Sequence, residues 1–204
     1  MRRAAPFIAI LSLALSACSA ERSPSEADVA AAPVAEADTA DAVDGPRAIA
    51  DAGDARMNGY GALDLGLTAE EARAEWTGGA LQGKPDPRDP AACFHLSPAG
   101  QSTPAQLAFM FENDVLVRYS VESPDIAAPG GGKVGMDEAA IQALYGGTLE
   151  TLPHKYVQGG KVLRSAEDGG GLPSKLVFEL DAAGKVTSWR VGMVPQIDYV
   201  EGCS

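Results

Sequence analysis

The chain has 204 residues, with 28 acidic side chains against 16 lysines and arginines, a net charge of −12 at neutral pH and 46% apolar residues. With no basic stripe anywhere, it is unsuited to track a phosphate backbone or to adsorb on anionic lipid by charge, and no nucleic-acid partner is expected. The apolar residues are unevenly spread, which divides the chain into a leader, a polar connector and one domain of ordinary size.

The first 17 residues read as a signal peptide. Arg2 and Arg3 precede an apolar run from Phe7 to Ala14, which is too short to span a bilayer. Leu15-Ser16-Ala17-Cys18 then resembles the bacterial lipobox at all four positions. That resemblance implies cleavage before Cys18, a diacylglycerol thioether on its sulfur and an acylated new N-terminus. Several acyl chains anchor firmly where one is marginal. Ser19, rather than Asp, after the cysteine is similar to lipoproteins delivered to the outer membrane.

Residues 18–56 are rich in Ala, Pro and acid, with nine acids against three arginines and almost no large apolar side chain. Such a segment buries too little apolar surface to offset its ordering entropy, so a disordered tether of roughly 35 Å reach is expected. An acidic interaction tail is the alternative.

Residues 57–204 form the expected domain. Two cysteines remain there, Cys93 and Cys203, an even pair in an oxidising compartment. A disulfide between them is expected, with two buried thiols as the alternative. In the chain-entropy picture, closing about 110 residues constrains the unfolded state by up to about 4–5 kcal/mol.

The domain reads as two similar repeats, 57–128 and 129–204. Leu65-Gly66-Leu67-Thr68 leads into a short helix ending near Trp76, and Val134-Gly135-Met136-Asp137 leads into another ending near Tyr145. Thr68 and Asp137 are suited to cap those helices, and Gly78 and Gly146 to end them. Hairpins follow. Phe109–Val121 turns at Asn113-Asp114, Leu176–Val191 turns at Asp181–Gly184, and Tyr119 and Trp189 take equivalent places. Val115, Val117, Tyr119 and Val121 alternate as a strand with one buried face should. Further strands are expected near Cys93–Leu96, His154–Val157 and Lys161–Arg164. The fold class is therefore α+β, with each repeat a short helix packed on antiparallel strands and both joined in one continuous sheet.

This pattern resembles the small α+β module of envelope lipoproteins of the BamE (SmpA/OmlA) type, and in tandem it is similar to beta-lactamase inhibitory protein-like modules. The segments Pro153–Tyr156 and Tyr199–Cys203 also resemble an uncharacterised family of bacterial secreted or lipoprotein domains, part of which carries a lectin label. The resemblance implies a sheet face that binds a partner and supplies no binding residue.

No catalytic constellation is legible. His95 and His154 stand alone, outside any nucleophile elbow, and His95 is expected on the outer face of a strand. Metal-ligand spacings are absent, so neither metal nor cofactor is expected beyond the lipid on Cys18. Gly130–Gly135 formally contains G-x-G-x-x-G but reads as a hinge between repeats. Tyr119, Tyr156, Trp189 and Tyr199 fall on expected strands and are the candidate binding face; the alternative is that they fill the core. Trp76 and Tyr145 are assigned to the core. The expectation is a non-enzymatic, outer-membrane-anchored lipoprotein whose domain binds an envelope protein in the periplasm, with carbohydrate binding as the alternative.

Overall fold

The computed structural model describes residues 53–89, 92–167 and 171–203. Signal peptide, Cys18 and nearly all of the tether lie outside the described residues. Within them the chain is α+β, mostly antiparallel strand with two short α-helices. It starts earlier than residue 57, because Ala55–Arg56 (β1) pairs with Gly59–Tyr60 (β2), which pairs with Leu63–Asp64 (β3). Ala55 and Leu63 are buried, so this three-stranded ribbon belongs to the core.

Helix α1 (Ala69–Glu75) begins at a capping box. The Thr68 hydroxyl accepts from the Glu71 N–H, and the Glu71 carboxylate accepts from the Thr68 N–H at 2.8 Å. It ends at Trp76 in extended conformation, so the left-handed residue falls at Gly79 (φ +97°) and not at Gly78. Helix α2 (Glu138–Leu144) is capped by Asp137, whose side chain accepts from the Ala140 N–H at 2.9 Å, and is followed by left-handed Gly146.

The remaining strands are Leu81–Gln82 (β4), Phe94–Pro98 (β5), Leu107–Glu112 (β6), Val115–Val121 (β7), Glu150–Pro153 (β8), Lys161–Arg164 (β9), Ser174–Leu180 (β10) and Val186–Met193 (β11). They form one antiparallel sheet in the order β4-β5-β6-β7-β11-β10-β9-β8. Two meanders thus run from the edges inward and meet at β7 and β11.

The two central strands are handled alike. The register shifts once between β6 and β7, so that Met110 faces Arg118, Phe111 faces Leu116, and Val117 is the extra residue. It shifts again between β10 and β11, where Glu179 faces Ser188, Leu180 faces Val186, and Thr187 is extra. Each bulge restarts the alternation of side chains. That is why Leu116, rather than Val115 or Val117, points inward with Tyr119 and Val121. The chain ahead of each helix bonds the residue just before each bulge. Gly66 donates to Leu116 O and Leu116 donates to Leu67 O, at 2.9 and 2.8 Å; Gly135 donates to Val186 O and Val186 donates to Met136 O, at 2.8 and 2.9 Å. Gly66 (φ +100°) and Gly135 (φ +89°) adopt the left-handed backbone these contacts require.

Under the helices lie Phe109, Phe111, Leu116, Tyr119, Phe178 and Trp189, each at most 1% exposed. The Tyr119 and Trp189 rings meet edge to face at 5.7 Å, and the Tyr119 hydroxyl donates to Arg56 O at 2.7 Å. Tyr145 is also core, bonded through its hydroxyl to Pro129 O. The glycine run before α2 is a packed turn and not a free hinge, since the Ala128 N–H donates to Gly132 O at 2.8 Å and the Gly132 N–H to the Tyr145 hydroxyl at 3.2 Å. His154–Val157 is not a strand. The His154 imidazole Nδ1 accepts from the Tyr156 and Val157 N–H groups at 3.1 and 3.2 Å, satisfying in a turn the donors that a strand would have paired. No helix among the described residues is long and apolar enough to cross a membrane.

Candidate functional site

The sheet face turned away from the helices is polar at its centre, and three rows of side chains cross it. One runs His95, Met110, Arg118, Gly192 and Lys175; the next Ser120, Arg190, Val177 and Arg164; the third Ser188, Glu179 and Val162. Two arginines on the central strands therefore stand on neighbouring rows. Room for one comes from Gly192, where a Cβ would lie 2.8 Å from the Arg118 Cβ.

This face is covered by the protein's own C-terminal segment, residues 194–203, here called the strap. It leaves β11, forms a 3-10 turn at Gln196–Asp198 and buries Ile197 completely. Arg118 Nη1 donates to Tyr199 O at 2.7 Å and to Gln196 O at 3.3 Å, and Arg190 Nε donates to Ile197 O at 2.9 Å. The Gln196 amide reaches Glu112 at 2.6 Å, and Asp198 pairs with Arg164 at 3.0 Å. At the far end Cys203 is bonded to Cys93, the disulfide that the cysteine count anticipates.

Beneath the strap Arg190 pairs with Glu179, the two side chains 8% and 18% exposed. The Glu179 carboxylate also accepts from the Ser188 hydroxyl at 3.3 Å and lies 3.6 Å from His154 Nε2. Burial pushes the Glu179 carboxyl upward, but Arg190, His154 and Ser188 outweigh it and hold the group below its usual range. Burial, then repulsion from Arg190, pulls Arg118 down to about 10 against a smaller opposing pull from Glu179. Burial and the charge of Arg118 likewise depress His95.

These shifts predict acid sensitivity in two windows. A folded-state pKa below the unfolded value means that the unfolded chain binds the proton first, so stability falls with falling pH. For His95 the loss begins below its ordinary 6.5, and for Glu179 below its ordinary 4.5. Urea unfolding followed from neutral pH downward is expected to show both declines, and His95→Gln to remove the upper one. A midpoint unchanged between about pH 7 and 5 counts against a half-buried imidazole whose charged form is disfavoured.

The four candidate aromatics separate into two pairs. Tyr119 and Trp189 are wholly buried, so the core alternative holds for them and they form no binding face. The bulges place both on the inner side. Tyr156 and Tyr199 lie outside the strands, Tyr156 in the loop between β8 and β9 and Tyr199 where the 3-10 turn ends. Both belong to the end of the strap, Tyr199 as part of it and Tyr156 through its bond to Glu201. Tyr156 is 54% exposed, its hydroxyl bonds Glu201, and Lys155 Nζ lies 4.9 Å over its ring. Tyr199 lines a cleft of about 410 Å³ with Cys93, Glu112, Lys155, Glu201 and Cys203. A second cleft, of about 350 Å³, lies by Arg164 and Lys175, whose charges are paired with Glu150 and Glu167. Among the described residues no group of three His, Cys, Asp or Glu side chains is placed to hold a metal ion.

The buried arginine pair went unread in the sequence, although the signal was there. Arg118 and Arg190 are the charged residues of two largely apolar central strands, which happens when a second layer covers a sheet.

No family model matches the chain, and no curated protein matches it. Among solved structures it is similar to an extracellular protein containing a SCP domain from Bacillus anthracis str. Ames, at 12% identity and a TM-score of 0.42. The match covers 72% of this chain and 48% of that one, so the chain spans about half the length of that structure.

Proposed function

We propose that the chain is a lipoprotein anchored through Cys18 to the outer membrane, whose domain acts as a non-enzymatic module that binds another envelope protein. The observation that supports this best is the grouping at the end of the strap. Tyr156 and Val157, 54% and 38% exposed, sit on a loop pinned by His154; the Tyr156 hydroxyl bonds Glu201, and Glu201 and Lys155 line the 410 Å³ cleft together with Tyr199. Aromatic side chains next to a cleft are the usual anchors of protein interfaces. A carbohydrate platform is less favoured, because Tyr119 and Trp189 are inside and leave Tyr156 without a neighbouring exposed ring on the sheet. The two-repeat reading belongs to the same proposal. Its support is the paired bulges at Val117 and Thr187 and the matching contacts of Gly66 with Leu116 and of Gly135 with Val186.

The test is photo-crosslinking in intact cells. A benzophenone amino acid replaces Tyr156 in the full chain, and membranes are separated before the products are identified. The expected result is a membrane-associated adduct with one envelope protein, formed from position 156 and not from the exposed control position Leu144. Adducts with glycan alone, or identical adducts from both positions, would reject the protein-binding reading.

A further inference from the structure

We propose that the outer sheet face around Arg118 and Arg190 is a binding site for an extended acidic peptide, closed in the oxidised protein by residues 194–203 and opened by reduction of the Cys93–Cys203 bond. This site lies under the strap, whereas the Tyr156 grouping stands at the strap's end and is linked to the disulfide's cleft through Glu201 and Lys155; neither reading requires the other.

The contacts that the strap makes with the arginines are generic. Arg118 and Arg190 are met by the main-chain carbonyls of Gln196, Ile197 and Tyr199, and by none of those residues' side chains. Any chain following the same path offers the same oxygens.

Charge says what the strap fails to supply. Two guanidiniums lie under it, and the one carboxylate buried with them, Glu179, pairs with Arg190. Arg118 is 5% exposed, donates to no carboxylate in any ion pair of the described residues, and keeps its Nε without a hydrogen-bond partner. A buried cation whose hydrogen bonds go only to neutral carbonyls, with Glu179 acting on it only through space, is costly, and an apolar side chain would fill the same space at less expense. The sheet nevertheless makes room for the guanidinium by placing Gly192 opposite it. The strap's own acids are directed to other groups, Asp198 to Arg164 and Glu201 to Tyr156, and an acidic side chain on an incoming peptide placed over Arg118 would complete it.

The disulfide has the position of a latch. The strap is continuous with β11 at one end and held to Cys93, the residue before β5, at the other. Between these points it is held by Ile197, by the arginine contacts, by the Gln196 amide on Glu112, and by partly exposed links from Asp198 and Glu201 of a kind worth little individually. While both ends are fixed, its effective concentration over the arginines excludes a competitor; with one end free that advantage falls. Cys93 and Cys203 both line the 410 Å³ cleft, where a reductant can reach them. The reductant is a dithiol. One thiolate attacks a cystine sulfur and forms a mixed disulfide, and the second thiol resolves it. The dithiol leaves as a disulfide, and Cys93 and Cys203 leave as two thiols, having gained two electrons and two protons.

The full chain is titrated, oxidised and then reduced and alkylated, with a fluorescein-labelled extended peptide of Ala and Glu, and read by anisotropy. Reduction is expected to tighten binding by about tenfold or more, the worth of a charge-assisted hydrogen bond to a carboxylate. The far-UV strand signal is expected to persist, and amides 196–199 to lose protection from hydrogen exchange. Arg118→Gln is expected to abolish the gain. In the oxidised protein Ile197→Ser, which loosens the strap without touching the bond, is expected to recover part of it. Equal affinity in both redox states, loss of the strand signal on reduction, or full binding by Arg118→Gln would each overturn the proposal. Crosslinking from Tyr156 needs no reductant, so either result can fail alone.

Discussion

Glu179→Ala is expected to lower the free energy of unfolding by about 3–5 kcal/mol, the cost of leaving a buried ion without its partner. The carboxylate is the partner of Arg190, both side chains are mostly buried, and the Ser188 hydroxyl and His154 imidazole are arranged around it. Removing it leaves two guanidiniums under the strap with no anion between them. Glu179→Gln keeps the shape and is expected to cost less, since the amide oxygen still accepts. Replacing both members, Glu179→Leu with Arg190→Met, is expected to be nearly neutral, because the desolvation of both charges is then relieved together. Urea unfolding of the three variants separates these cases. A cost under about 1 kcal/mol for Glu179→Ala would mean that the pair is solvated like a surface bridge.

Trp189→Ala is expected to cost about 3–5 kcal/mol, the range for deleting a buried large aromatic. The ring is wholly buried and meets Tyr119 edge to face. Its Nε1–H is buried without a hydrogen-bond partner, so Trp189→Phe is expected to recover much of the loss by removing that donor along with the smaller ring. Tyr156→Ala, at a residue 54% exposed, is expected to stay within about 0.5 kcal/mol of the parent. The contrast decides between core and surface for residues that look alike in sequence. A Trp189→Ala protein as stable as its parent would return that side chain to the surface.

Local chemistry was legible wherever it depends on neighbours in the chain. Thr68 and Asp137 start helices because a side-chain oxygen three residues ahead of a free N–H satisfies it wherever the helix later packs. Asn113 and Asp114 turn a hairpin because they tolerate positive φ, here 52° and 60°. Cysteine parity pointed to the Cys93–Cys203 bond without any geometry. The leader and its Cys18 are likewise a reading of sequence, and they lie outside the described residues.

What only the tertiary structure decided is which side of each strand meets what. A bulge at Val117 or Thr187 reverses every side chain beyond it, and no residue type announces the extra position. This sent Tyr119 and Trp189 inward. The strap could not be foreseen either, since Gln196–Tyr199 carries no periodicity and its hold on Arg118 spans about eighty residues of chain. The sequence by itself determined the class of domain, its caps and turns, and its covalent tie. Folding determined that the second face of the sheet is covered, because burial there depends on which distant segment arrives and not on the residues that receive it.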